Sequence, residues 1–183
     1  MKKLFLTLIL ITGFSFAQDS SSSPWGVYGG ITSAGMSDAD GRTTGLSLGF
    51  SRTINDKWSW GSGLSHRGAK IDDIEGTVEL KGNAVELWSS YSLIQFEYWE
   101  QDRSVSFDLS TGLIYAHIYE FEAKMDGVSV SWSDTDNDYG LFLNGTIPLQ
   151  ENLALNIGYY MGLRDMGDDT KFNNLWLEVG YSF

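Results

Sequence analysis

Two histidines, His66 and His117, are the side chains best suited to proton transfer near neutral pH. A hydrolytic site would need one of them to face a serine across a short gap, with an acid to orient it. Ser65 adjoins His66 in sequence. Neighbours on a β-strand point to opposite faces, so the two cannot form that dyad. Parity puts both histidines on the apolar, outward face of their strands, near the loop ends and at lipid-headgroup level. They are expected to be interfacial polar groups, and no catalytic residue is predicted. Asp134-Thr135-Asp136-Asn137-Asp138 opens like a calcium loop. Its sixth position calls for glycine and is Tyr139, and its twelfth calls for glutamate and is Gly145. A solvated acidic loop is expected there, with loose divalent binding against lipid phosphates as the alternative. Asn144-Gly145-Thr146 fits a glycosylation sequon but falls inside a predicted strand. With no cysteine, disulfides, thiolate metal sites and a lipid-modified N-terminal cysteine are excluded. No cofactor or metal is expected.

These residues must be positioned by strands, because the dominant hydrophobic period is two. Leu175, Leu177, Val179, Tyr181 and Phe183 alternate with Trp176, Glu178, Gly180 and Ser182. The same rule holds from Leu153 to Leu163 and from Val105 to His117. It holds less cleanly around residues 139–147, 85–93, 58–65 and 46–51, and weakly for a first strand near 25–35. That makes eight strands. Short links near residues 53–57, 96–103 and 148–152 alternate with longer polar links near 36–42, 69–79, 120–138 and 164–172. Short turns at one end and long loops at the other are the layout of an outer-membrane barrel, with both termini at the short-turn end. The four long links carry 15 of the 24 acidic residues against five basic ones, so the loop end is strongly negative.

The N-terminus supplies the route out of the cytoplasm. Lys2 and Lys3 precede the apolar run LFLTLILI, and Ser15-Phe16-Ala17 offers a small-residue cleavage site. Residues 1–17 are expected to be a signal peptide, since the run is too short for a membrane-spanning helix. Residues 18–24 read as a short flexible leader, and 25–183 as the barrel. The formal charge of −12 becomes −14 once Lys2 and Lys3 are removed, which argues against nucleic-acid partners.

Alternation alone does not say which face is outside, since a secreted soluble barrel shows the same period with its faces reversed. The second face is small and polar, which suits the interior of a narrow barrel, where eight strands leave just enough room for side chains. Aromatic residues near strand ends (Trp58, Trp60, Tyr98, Trp99, Tyr115, Tyr119, Tyr181, Phe183) suit interfacial girdles. Parity places Glu86, Asp108, Glu178, Arg67 and Arg164 on the inward face. Buried charges need partners. The acids fall from mid-barrel downward and the arginines near the loop end. An interior polar network with water, plugging the lumen, is expected; a narrow ion path is the counter-reading.

The chain resembles the outer membrane β-barrel domain family of Bacteroidetes type, related in architecture to small OmpA/OmpX-like barrels. The resemblance is carried by Leu64-Ser65-His66-Arg67-Gly68-Ala69-Lys70, Val85-Glu86-Leu87, Gly158-Tyr159-Tyr160-Met161-Gly162-Leu163 and Gly180-Tyr181-Ser182-Phe183. Trp88 and Ser89 stand where the family often has a proline soon after the glutamate. The resemblance implies that the strand ending at Phe183 is the recognition signal for the barrel assembly machinery. The sequence therefore predicts an all-β protein, an eight-stranded antiparallel up-and-down transmembrane β-barrel in the cell outer membrane. It is expected to be a non-enzymatic monomer surrounded by outer membrane lipids, with an envelope or surface-interaction role and an unidentified extracellular partner. The alternatives are a narrow channel for small solutes or ions, a lipid-acting envelope enzyme, and a secreted soluble barrel that binds an apolar ligand.

Overall fold

The computed structural model describes residues 25–73, 76–100, 103–125, 128–132, 136–165 and 170–183. The expected signal peptide and leader lie outside the described residues. The strands are β1 (Trp25–Met36), β2 (Thr43–Thr53), β3 (Trp58–Asp73), β4 (Gly76–Glu100), β5 (Arg103–Met125), β6 (Val128–Trp132), β7 (Asp136–Gln150), β8 (Leu153–Gly162) and β9 (Phe172–Ser182). They form one sheet in the order β4-β3-β2-β1-β9-β8-β7-β5-β6, and β4 also pairs with β5. That last pairing closes eight strands into an antiparallel barrel. Among the described residues the ninth, β6, pairs only with β5 and stands outside the ring.

The period of two sorts the side chains. On β8, Ile157, Tyr159 and Met161 are exposed while Gly158, Tyr160 and Gly162 are buried. The exposed face is apolar all the way round, with Ile31, Leu48, Leu87, Leu113, Leu143 and Leu177 all open to the surroundings. Water would penalise a continuous apolar exterior, and hydrocarbon would not. This face orientation is the reverse of a soluble ligand-binding barrel, so the structure overturns that alternative.

The end that holds both termini is marked by aromatic side chains. Trp25, Phe50 and Trp60 form an outer cluster with ring centroids 5.9 to 6.0 Å apart. The Arg52 guanidinium lies 5.1 Å above the Trp25 ring. The two tryptophan rings, apolar in body and polar at one edge, suit the membrane–water boundary. The turn between β2 and β3 is made by Asn55, whose Oδ1 accepts the Lys57 and Trp58 amides at 3.0 Å each.

Two of the expected long polar links are strands. Residues 69–73 and 76–79 continue β3 and β4 in register, from Ala69↔Leu80 to Asp73↔Gly76. Residues 120–125 extend β5, and 128–132 form β6. Here the outward positions are charged (Lys70, Glu79, Lys81, Glu120, Glu122, Lys124). Reading charge as loop hid the alternation beneath it: Ile71, Val78, Leu80, Ala123, Val128 and Val130 share the other face through cross-strand pairing. The short link expected near 96–103 is likewise mostly strand, with β4 and β5 paired down to Glu100↔Arg103.

Candidate functional site

The lumen is built on cross-strand pairs of aromatic residues and glycines. Trp88 stands opposite Gly61, Trp176 opposite Gly158, Phe142 opposite Gly112 and Tyr28 opposite Gly49. A side chain would not fit beneath the rings. A Cβ on Gly61 would lie 2.3 Å from Trp88 Cζ2, and one on Gly158 would lie 2.1 Å from Trp176 Cζ2. The rings therefore lie against the wall and meet one another across the lumen. Trp88 lies 6.2 Å from Tyr28 and 6.4 Å from Phe142, and Phe142 lies 6.0 Å from Trp176. Each polar edge is used: Trp88 Nε1 donates to Tyr28 Oη at 2.9 Å, and Trp176 Nε1 to Asn144 Oδ1 at 3.1 Å. Asn144, the sequon residue, thus faces the lumen.

Toward the loop end the lumen is closed in two layers. The lower layer is ionic. Arg67, 1% exposed, places Nη2 2.5 Å from Glu86 Oε1 and Nε 3.8 Å from Asp138 Oδ2. Ser65 Oγ donates to Glu86 Oε1 at 2.6 Å, and the Arg67 guanidinium sits 4.8 Å above the Tyr160 ring. The upper layer is apolar. Ile118 and Phe172 are buried with Ala84 and Ala116, and Met36 and Phe121 pack against them. Below both layers lies a cavity of about 470 Å³ whose lining runs down to Asp56, Lys57 and Ser182, at the end that holds the termini.

The five residues placed inward by parity therefore part company. Arg67 and Glu86 are paired directly. Asp108 lies farther down, where Oδ2 accepts from Ser92 Oγ at 2.7 Å and from Gln95 Nε2 at 3.0 Å. Glu178 lines the same cavity. Arg164 is not in the lumen: β8 ends at Gly162, and the guanidinium turns to the rim, where it bonds Asp136 and the Asn137 carbonyl. Asp138, taken from the sequence as a loop acid, is fully buried facing Arg67. Its parity with Gly140 and Phe142 on β7 was the signal that could have found it. Asp136 and Asn137, which share the calcium-like motif, lie on β7 with Asp138; Asp134 and Thr135 lie outside the described residues.

The histidines also divide. His117 stays near the rim, with Nδ1 2.8 Å from Asn137 Oδ1. His66 is buried in the wall instead of facing outward. Pairing of β2 with β3 stops at Leu48↔Leu64 and resumes only at the isolated bridge Gly41↔Lys70, so the six residues 42–47 stand opposite the five residues 65–69. The mismatch opens the ladder, and the imidazole fills the gap. Its Nε2 lies 2.7 Å from Thr43 Oγ1, and a Cβ on Gly45 would fall 2.3 Å from its own Cβ.

No protein-family model and no curated protein matches the chain. Solved structures do. Neisserial surface protein A superposes with a TM-score of 0.58 at 16% identity, covering 90% of this chain and 100% of that one. The outer membrane protein OprG from Pseudomonas aeruginosa gives 0.54 at 15%, covering 87% and 95%. The attachment invasion locus protein Ail of Yersinia pestis, in complex with the heparin analogue sucrose octasulfate, gives 0.52 at 17%, covering 87% and 97%. At these identities the likeness is one of fold. The architecture is that of small, closed, OmpA/OmpX-like outer-membrane barrels. Together with the apolar belt, it sets this chain in the outer membrane of a Gram-negative-type cell.

Proposed function

We propose that the chain is a non-enzymatic outer-membrane barrel acting at the cell surface, through the sheet that β3, β4, β5 and β6 raise above the membrane. The two-faced build of that sheet carries the reading. One face is charged and internally paired, with Glu79 3.0 Å from Lys81 and 3.8 Å from Lys70. The other continues the inward face of the barrel and is apolar. There Val128 is 66% and Val130 59% exposed. Strands that only sealed a membrane would end at the headgroups. An open apolar face above them favours contact with another molecule. The acidic loop end favours neutral or basic partners and disfavours polyanions such as the sulfated sugar bound by Ail.

The remaining partners in this reading are the outer membrane lipids around the belt and the barrel assembly machinery, which would read the terminal strand ending at Phe183. Closure of the ring within a single chain favours a monomer. The Bacteroidetes-type affiliation rests on the sequence motifs. A through-channel is disfavoured by the Arg67 layer and the Ile118–Phe172 layer above it. Steady single-channel conductance of the purified protein in planar bilayers would count for the channel.

The test compares cells carrying the parent protein with cells carrying Val128→Lys/Val130→Lys. The variant is expected to insert, to keep its boiling-dependent gel shift and to leave detergent resistance of the envelope intact. Attachment of the cells to protein-coated surfaces is expected to fall several-fold. Unchanged attachment, combined with detergent sensitivity on deletion of the protein, would overturn the surface reading in favour of a structural role in the envelope.

A further inference from the structure

Among the described residues, the lower lumen holds more acidic side chains than basic ones. Deep in the cavity, Glu86, Asp108 and Glu178 stand against a single cation, Arg67, while Asp56 and Lys57 offset one another at the mouth. Arg67 is engaged by Glu86 and by Asp138 above it. Among the described residues, no cation lies within ion-pair distance of Asp108 or Glu178. The two acids belong to one polar row that follows the strand register around the wall. Gln95 pairs with Asp108, Asp108 with Thr146, Thr146 with Asn156, and Asn156 with Glu178.

A separate feature points the same way. Asn174 is 2% exposed and lines the same cavity. Its Nδ2 donates to the His66 carbonyl at 3.0 Å, which leaves Oδ1 without a partner. A buried, unpaired acceptor is costly, so this oxygen favours a donor, from water or from a ligand. The rings of Trp88 and Trp176 line the space between. Aromatic faces attract cations, more strongly where water is scarce. The volume of about 470 Å³ falls within the range of small-molecule pockets, about 300–1,000 Å³.

We propose that the periplasmic half of the lumen is a blind pocket for a small linear organic cation, a di- or triamine. Its ammonium groups would lie against Glu178 and Asp108, an N–H would reach Asn174 Oδ1, and its methylene chain would lie on Trp88 and Trp176. Anions are repelled by the carboxylates, and neutral polyols forgo the charge. A bare metal ion finds no group of three ligating side chains among the described residues. The Arg67 layer closes the pocket above, so the ligand enters and leaves on the periplasmic side and is held, not transported. The pocket and the projecting sheet lie at opposite ends of the barrel, so either proposal can fail without the other.

The test is a titration of the full-length folded barrel, in zwitterionic nanodiscs, with spermidine, followed by calorimetry and tryptophan emission. One saturable site is expected, with a change in emission, an affinity at least about tenfold weaker in Glu178→Gln and in Asp108→Asn, and no response to glycerol. A surface variant, Glu120→Gln/Glu122→Gln, is expected to bind like the parent. Three results would each overturn the proposal: no saturable binding, equal binding of glycerol, or spermidine binding that survives both lumen variants and falls in the surface one. The boiling shift checks each fold, and if Glu178→Gln does not assemble, Asp108→Asn decides alone.

Discussion

Replacing Arg67 with alanine should be the most damaging single change in the lumen. The side chain is 1% exposed and holds Glu86 at 2.5 Å, Asp138 at 3.8 Å and the Tyr160 ring at 4.8 Å. Its loss strands two carboxylates on the inner wall with no counter-charge. Removing one member of a buried pair costs about 3–5 kcal/mol. Glu86 is 13% exposed and borders the cavity, so water takes up part of its charge, and a loss of about 3 kcal/mol, at the low end, is expected. The assay is urea unfolding of the barrel in lipid vesicles, followed by tryptophan emission and the boiling-dependent gel shift. The triple variant Arg67→Met/Glu86→Gln/Asp138→Asn removes the charges together. It should recover part of the loss, because it leaves no unpaired charge on the inner wall. A loss below about 1 kcal/mol in Arg67→Ala, the worth of an exposed pair, would refute the reasoning, as would a triple variant no more stable than the single one.

Leu177 faces lipid and is 42% exposed; Leu177→Arg should cost about 2–4 kcal/mol if that face meets the bilayer midplane, and an unchanged unfolding midpoint would mean that it does not. Gly158→Val should cost about 1–3 kcal/mol by overpacking, because its Cβ falls 2.1 Å from the Trp176 ring; the check is the same urea titration. On the projecting sheet, the hydrogen bond from Lys81, with Lys70 and Lys124 nearby, holds the Glu79 carboxyl below the usual glutamate range. A lowered value means that the contribution is present above the ordinary glutamate pKa and is lost as pH falls through the lowered one. The difference in amide-exchange protection between the parent and Glu79→Gln, small because the pair is exposed, should therefore vanish in acid; a difference that persists there would sink this account.

The eight strands of the ring were legible from the period of two, and the outward apolar face from the small, polar character of the opposite face, and neither reading needs knowledge of partners. Glu86 and Asp108 could be placed on the inner wall for the same reason. Parity says nothing about height along the barrel axis, which depends on strand tilt and stagger. That is why the direct Arg67–Glu86 pair could not be read beforehand, and why Asp138 passed for a loop acid. Residues 120–125 and 128–132 misled differently: charged side chains on one face of a strand look like a loop when the apolar face is not read separately. His66 escaped because a ladder mismatch breaks the very rule that placed it. Arg164 lies beyond the last paired residue of its strand, where parity no longer binds a side chain to a face.

The aromatic–glycine pairs tie distant parts of the chain together during sequence drift. Gly61 and Trp88 are 27 positions apart and Gly158 and Trp176 are 18 apart, yet each couple shares one volume on the inner wall. Neither member can change size freely. A glycine that gains a side chain forces its partner to shrink, and a ring that shrinks leaves a space the glycine position can fill. In divergent relatives of this barrel the inner wall is therefore expected to vary two positions at a time, with small and large residues trading places across the ladder while the sum is held. The lipid face carries no such coupling and is free to exchange one apolar residue for another singly.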